Sequence, residues 1–191
     1  GGGIFGICAA HDAAQRGLRV ALLEKGDFAH ATTSNSYKIV HGGIRYLQHA
    51  DLGRTRSSCR ERSALLRIAP HLVHPMPIAM PTYGHGFRGK EVLWTGFRLY
   101  DLLTADRNRG IADPDRKIPA ARFLSRDEMV HRFPGVDREG LTGGAVFHDG
   151  QMYNPPRLAL SFLRTAIEEG ADAANYMEAT DLRRDGDRIV G

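Results

Sequence analysis

Residues 31–48, ATTSNSYKIVHGGIRYLQ, crowd hydroxyls, cations and a pair of glycines into one short stretch. Thr32, Thr33, Ser34 and Ser36 are small donors suited to a phosphate or to the edge of a polar ring, and Lys38 adds a positive charge. Gly42 and Gly43 let backbone lie against a flat ring with no Cβ in the way. Arg45 and Tyr46 follow as a bidentate cation and a phenol, groups that suit a phosphate, a carboxylate or a developing alkoxide. His41 is a proton carrier, a donor to a ring, or an ordinary hydrogen-bonded histidine. Taken singly, these residues have plain structural readings: a polar loop with a helix cap for the Ser/Thr run, a surface-helix pair for Arg45 and Tyr46. As one block behind a nucleotide fingerprint they favour a ligand site.

That fingerprint opens the sequence. Gly1-Gly2-Gly3-Ile4-Phe5-Gly6 fits G-x-G-x-x-G. In a dinucleotide-binding βαβ unit the first glycine makes the turn, the second admits the pyrophosphate, and the third lets helix pack on sheet. The strand that should precede the turn is missing. The residues after the turn suit the motif: IFGICAAHDAAQRG is Ala-rich and helix-prone, Gly17 is placed to end the helix, and LRVALLEK reads as a buried strand between Gly17 and Gly26. The strand ends in Glu24, roughly 20 residues after the glycines, where a carboxylate can accept from ribose hydroxyls. The plainer alternative is a structural turn with a solvated Glu24.

Other elements must position these groups. NPPRLALSFLRTAIEEG predicts a helix capped by Asn154, begun by Pro155, closed by Gly170, and apolar along Leu158, Phe162 and Ala166. ADAANYMEAT supplies a further short strand, and Asp185-Gly186 predicts a hairpin turn before RIVG. The long stretch between the two strands exceeds any single loop and must carry structure of its own. DLGRTRSSCRERSALLRIAPHL reads as an amphipathic helix stopped near Pro70, and HPMPIAMPT as extended chain because its prolines forbid helix. KEVLWTGFRLYDLLTAD returns to helical spacing through Leu93, Phe97, Tyr100 and Leu103. Ser125-Arg126-Asp127-Glu128 is a capping-box signature. The chain reads as an α/β nucleotide-binding domain, residues 1–72 and 150–191, interrupted by part of a second domain, residues 73–149, and truncated at both ends.

Composition narrows the function classes. The 191 residues are 42% hydrophobic and 25% charged, values of a soluble globular protein. Net charge is +4, with 26 Lys and Arg against 22 Asp and Glu. The scattered excess hints at an anionic ligand, whereas nucleic acid is not expected because no basic run with interleaved aromatics occurs. The 2 cysteines, Cys8 and Cys59, show no C-x-x-C spacing, so a disulfide framework or metal site has no support and reduced, intracellular thiols are expected. Neither a signal peptide nor an apolar run of ~20 residues is seen.

GGGIFG, LLEKGDFAHATTSNSYKIVHGGIRYLQ and RERSALLRIAPHLVHPMPIAMP together resemble the amino-terminal part of FAD-dependent glycerol-3-phosphate dehydrogenases, in the D-amino acid oxidase-like flavoprotein superfamily. The likeness continues more loosely through HDGQMYNPPRLALSFLRTAIEEGADAANYMEAT, and is specific in the T-S-x-S-x-K-x-x-H-G-G-x-R-Y-L block. It implies a Rossmann-like FAD-binding domain, a parallel βαβ sheet, interrupted by part of an α+β substrate domain, with FAD held noncovalently. By that likeness Gly1, Gly3 and Gly6 lie at the pyrophosphate and Glu24 at the adenosine ribose. Thr32, Thr33, Ser34, Ser36, Lys38, His41, Gly42 and Gly43 line the flavin and its linker, Arg45 and Tyr46 face the substrate, and the Met177 backbone meets the adenine. Tyr37 departs from the family, which has a small hydroxyl residue there. The implied reaction oxidises sn-glycerol 3-phosphate to dihydroxyacetone phosphate, with hydride passing to the flavin and electrons onward to a quinone. The fragment alone is expected to be inactive.

Three rivals stay open. An amine or amino-acid oxidising flavoenzyme shares the fold, and one arginine cannot separate a carboxylate from a phosphate. An NAD-dependent dehydrogenase accounts for the glycines and Glu24 but not for residues 31–48. A non-catalytic nucleotide-binding module is the third. The Val92 to Leu103 helix, with Trp94, Phe97, Arg98, Arg107 and Arg109, has the composition to lie on an anionic bilayer. The simpler expectation is that it packs against the substrate domain or another subunit, as in a homodimer. The expected location is cytoplasmic, with peripheral attachment to the cytoplasmic membrane as the variant that a quinone-linked enzyme requires.

Overall fold

The computed structural model describes residues 1–86 and 89–191, Gln48 by its backbone alone. In chain order the elements begin α1 (Ile4–Gln15), β1 (Ala21–Leu23), β2 (Ile39–Val40), α2 (Leu52–Ile68), β3 (Val73–Tyr83) and α3 (Lys90–Leu103). They continue β4 (Arg122–Ser125), α4 (Arg126–Arg132), β5 (Leu141–Met152), α5 (Pro155–Glu168), β6 (Asp172–Ala174), β7 (Arg184–Asp185) and β8 (Arg188–Ile189). Two compact units result, Gly1–Lys38 with Tyr153–Gly191, and Ile39–Met152.

In the first unit β1 and β6 pair in parallel, Ala21 opposite Asp172 and Leu23 opposite Ala174. The expected long buried strand is shorter and barer than the sequence suggests. Only Leu22 of β1 is buried, while Ala21 and Leu23 are exposed. The reason is one-sided cover: Ile7 and Ala10 of α1 and Ala159 and Leu163 of α5 form one core with Leu22, on a single face of the strand. Beyond the ladder the pairing persists, since the Glu24 N–H donates to the Ala174 carbonyl and the Met177 N–H to the Glu24 carbonyl.

Helix α5 forms for the reasons read from its sequence. Asn154 Oδ1 accepts from the Arg157 N–H at 3.0 Å, and Pro155 starts the helix, where a missing N–H costs nothing. Leu158 and Ala166 are buried, and Gly170 takes a positive φ of 96° just past the end. The C-terminal hairpin turns through Gly186-Asp187, because Asp185 pairs with Arg188. The turn lies one residue later than expected, with Gly186 at φ 57°.

The second unit is built on β5. The antiparallel strand β3 pairs with it from Val73↔Met152 to Tyr83↔Leu141, and its other edge pairs with β2 and β4. Pro75, Pro77 and Pro81 share one parity of β3, so the N–H groups they lack fall on one edge. Only an edge strand tolerates that, and β3 is one. Phe97 of α3 packs against Phe147 of β5, the rings tilted by 41° with centroids 5.1 Å apart, inside a core with Ala121 and Ala145. Ser125 and Glu128 close the expected capping box of α4.

The domain boundaries expected at 72 and 150 differ from the unit boundaries. Residues 39–68 belong with the second unit because β2 pairs with β5 and α2 packs on β3. Two residues offered for a bilayer surface are placed elsewhere: Phe97 is in the core, and Arg107 is buried, paired with Asp101 at 3.1 Å. Trp94 and Arg98 remain exposed, the guanidinium 5.5 Å from the indole centroid. Among the described residues no helix is long and apolar enough to cross a membrane.

Candidate functional site

The first unit brings the glycine turn, Glu24 and part of the Ser/Thr run together. Glu24 is buried, its Oε2 accepting from the Gly2 N–H at 2.6 Å and its Oε1 from the Gly26 N–H at 2.8 Å. Those amides, Gly26 first and then Gly2, hold its carboxyl below the usual glutamate range. Thr33 Oγ1 accepts from the Ile4 N–H at 3.0 Å and so serves the first turn of α1 from 29 residues away. Ser34 turns inward on its own loop, donating to the His30 and Ala31 carbonyls. Ser36 Oγ accepts from the Lys38 N–H at 3.3 Å, while Thr32, Ser36 and Lys38 are exposed. Met177 is half exposed, its N–H already given to Glu24.

The glycines divide by what surrounds them. A Cβ on Gly6 would fall 1.9 Å from the Gly1 carbonyl oxygen, so packing within the chain itself requires glycine there. A Cβ on Gly1 would meet nothing nearer than 3.8 Å, and one on Gly3 nothing nearer than 3.4 Å. Among the described residues nothing demands bareness at those two positions, and it leaves backbone open to a ligand. Gly3 also caps α1 without a side-chain acceptor, and no acid lies in the first helical turn. An amide-lined helix start with two uncluttered glycines suits a phosphate.

The second unit gathers His41, Gly43, Arg45 and Tyr46 around a cleft of about 290 Å³, together with Ile44, His49 and Asp149. Gly43 adopts φ 82° and leads into a 3-10 turn, Ile44–His49, that carries Arg45 and Tyr46. The guanidinium of Arg54 lies 5.2 Å from the Tyr46 ring centroid. Arg45 is exposed and Tyr46 half-buried.

Beneath the cleft lies a buried polar group that the sequence reading missed. Asp149 Oδ1 accepts from the Gly42 N–H and from Arg62 Nη1, both at 2.7 Å, while Oδ2 lies 3.3 Å from His41 Nδ1. Arg62 also donates to the His148 carbonyl at 3.0 Å, and the Tyr100 hydroxyl donates to the Gly42 carbonyl at 2.9 Å. Burial works against the Arg62 charge, but the Tyr100 oxygen and Asp149 more than offset it and leave its pKa raised. Burial likewise pushes the Tyr100 phenol up, and burial with the nearby Arg62 charge lowers His148. A Cβ on Gly42 would lie 2.1 Å from Arg62 Nη1 and 2.3 Å from the Tyr100 oxygen, so the turn closes only over glycine. Two signals pointed to this group. Arg62 lies on the stripe of α2 shared by Cys59 and Leu66, and Asp149 sits in a strand that is mostly buried. Opposite charges at core positions imply that they meet.

The first unit thus offers a phosphate-suited glycine turn, and the second a cleft with Arg45 over a buried carboxylate. The family follows from comparison: residues 1–191 match the model of the FAD-dependent oxidoreductases, DAO, and the chain belongs to that family. It is 37% identical over 190 residues to a glycerol-3-phosphate dehydrogenase of Synechocystis sp., covering 100% of this chain and 33% of the relative. It is 41% identical over 187 residues to glycerol-3-phosphate dehydrogenase 1 of Mycobacterium tuberculosis, covering 95% of this chain and 35% of the relative. The chain thus spans about a third of the length of these curated relatives. Among solved structures, the glycerol-3-phosphate dehydrogenase from Bacillus halodurans complexed with FAD superposes with a TM-score of 0.68 at 26% identity, over 100% of this chain and 28% of that one. L-proline dehydrogenase from P. horikoshii reaches 0.68 at 18% identity, over 99% and 46%, a likeness of fold alone.

Proposed function

We propose that this chain binds FAD and faces the substrate in an oxidation of sn-glycerol 3-phosphate to dihydroxyacetone phosphate. The observation that carries the reading is the cleft of the second unit, where one short turn presents His41, Arg45 and Tyr46 together. The likeness to glycerol-3-phosphate dehydrogenases along the whole chain supports the same substrate.

The residues present fit the cofactor. The Gly1 to Gly6 turn offers amides to a pyrophosphate, and Gly1 and Gly3 leave room for it. Glu24, kept ionised by two amides, retains lone pairs for ribose hydroxyls. Thr32, Ser36 and Lys38 are exposed donors for the linker, alongside the free hydroxyl proton of Thr33, whereas Gly42 and Gly43 are bare because Arg62, Tyr100, Ser58 and Thr55 pack against them. Bound FAD supplies a two-electron acceptor for the hydride. The chain's own task at the substrate is electrostatic: Arg45 holds the anionic group, and Tyr46, braced by Arg54, offers its hydroxyl to the alcohol oxygen. A quinone is the onward acceptor in this reading. That places the protein at the cytoplasmic face of a membrane, with the exposed Trp94 and Arg98 of α3 supporting peripheral contact.

The test is spectroscopic. Anaerobic glycerol 3-phosphate should bleach the flavin band near ~450 nm of the flavin-loaded full-length gene product, whereas glycerol and proline leave it unchanged. Arg45→Ala should raise the half-saturating glycerol 3-phosphate concentration about 10- to 100-fold, the loss of one charge-assisted hydrogen bond. Bleaching by proline instead would move the protein to the amino-acid branch, and absence of flavin would end the reading.

A further inference from the structure

His41 stands out because its environment is asymmetric. The ring is 62% exposed and lines the cleft, yet its Nδ1 is turned back toward a carboxylate that is 4% exposed. That carboxylate has no freedom to move. Asp149 Oδ1 is fixed by the Gly42 amide, the residue next to His41 in the chain, and by Arg62, whose side chain is fully buried. The Gly42 carbonyl is fixed in turn by the Tyr100 hydroxyl. The backbone at 42 and the His41 ring are therefore referred to one anchored group.

The chemistry comes from donor and acceptor rules. An ionised carboxylate only accepts, so the atom facing it at 3.3 Å must carry a proton. In neutral imidazole one nitrogen donates and the other accepts, so a proton on Nδ1 leaves the Nε2 lone pair for the cleft. We propose that Asp149, anchored by Arg62, is the positioning residue that fixes the Nδ1–H tautomer of His41 and presents Nε2 to the cleft as a proton acceptor. The ligand class is an alcohol with a hydrogen on its carbinol carbon: Nε2 takes the O–H proton, the C–H hydrogen leaves with its bonding pair as a hydride, which bound FAD would accept, and the C–O bond becomes a carbonyl. This rests on the dehydrogenase reading for its substrate, but not for the tautomer.

The experiment measures the tautomer directly, without flavin or substrate. Long-range 1H–15N spectra of the 15N-labelled protein, with His41 assigned by His41→Gln, report which ring nitrogen bears hydrogen. The expected result is Nδ1–H, against the Nε2–H form that histidine prefers in water. Asp149→Asn places an amide donor beside Nδ1 and should turn the ring to Nε2–H. Tyr100→Phe removes a neighbouring bond of the same turn and should leave the tautomer unchanged. In the flavin-loaded full-length gene product, Asp149→Asn should lower the rate of flavin reduction about 100-fold with little change in half-saturation. Nε2–H in the wild type, or Nδ1–H persisting in Asp149→Asn, overturns the proposal. Should Asp149→Asn not fold, the wild-type spectrum decides by itself. A correct tautomer in a protein whose flavin ignores glycerol 3-phosphate would uphold the positioning and reject the substrate.

Discussion

Two turns in this molecule are each organised by one carboxylate, and they are built in different ways. At the glycine turn of the first unit, Glu24 accepts from two backbone amides, of Gly2 and Gly26. At the turn before the cleft, Asp149 accepts from one amide, of Gly42, and from the buried Arg62. The first arrangement is a lock made by two backbone amides. The second places a full positive charge in the protein interior and makes the carboxylate its counterion. Removing the acid should therefore have unlike consequences: a loosened turn in one case, an uncompensated buried charge in the other.

The largest expected effect tests that difference at its extreme. Asp149→Leu should destabilise the protein by about 3–5 kcal/mol, the cost of stranding one member of a buried pair. Arg62→Met alone should cost a similar amount. Combining Arg62→Met with Asp149→Leu should recover part of the loss, because no charge is then buried alone. Recovery should stop short of wild type, since the Gly42 amide still lacks its acceptor and an orphaned buried donor costs about 1–3 kcal/mol. Urea midpoints of the three variants, read as a double-mutant cycle, check this. Strict additivity of the two single effects would mean that the pair does not act as a unit.

The same contrast explains what could be read from the amino-acid order. The glycine turn, α1, the acid of Glu24, α5 with its Asn154 cap, and the capping box of α4 are local devices, each written within a few residues. The polar cluster is not local: Gly42, Arg62, Tyr100 and Asp149 come from four separate stretches, Asp149 lying 107 positions after Gly42. Periodicity placed Tyr100 on a helix face and left Arg62 among charged neighbours, but only the pairing of β2 with β5 carries Asp149 beneath His41. The exposed face of β1 was illegible for a related reason. An apolar run reads as buried on both faces, whereas here both helices cover the same face.

A pH titration probes the Glu24 lock from the other side. The folded-state pKa of Glu24 is depressed, so the stability it contributes is fully present above its unfolded value, about 4.3, and is lost as pH falls through the folded value. Glu24→Gln should flatten the acid limb of the thermal unfolding curve below about pH 4.5, and should leave the slope near neutrality unchanged. If the variant kept the wild-type acid limb, the Gly2 and Gly26 amides would not be what lowers Glu24.

The smallest effect sharpens the view that the first turn is held by exchangeable single bonds. Thr33 acts on α1 as an N-terminal cap supplied from a distance, its Oγ1 taking the Ile4 amide. Thr33→Ala should cost about 1 kcal/mol, the usual value of one capping acceptor, and Thr33→Ser should restore most of it. Thr33→Val keeps the shape and removes the oxygen, so it should resemble alanine rather than threonine. Thermal unfolding of the three variants reads the order directly. Equal stability of valine and threonine would show that packing, not the hydrogen bond, ties residue 33 to the helix. The first unit would then owe its turn to shape, as the second owes its own to charge.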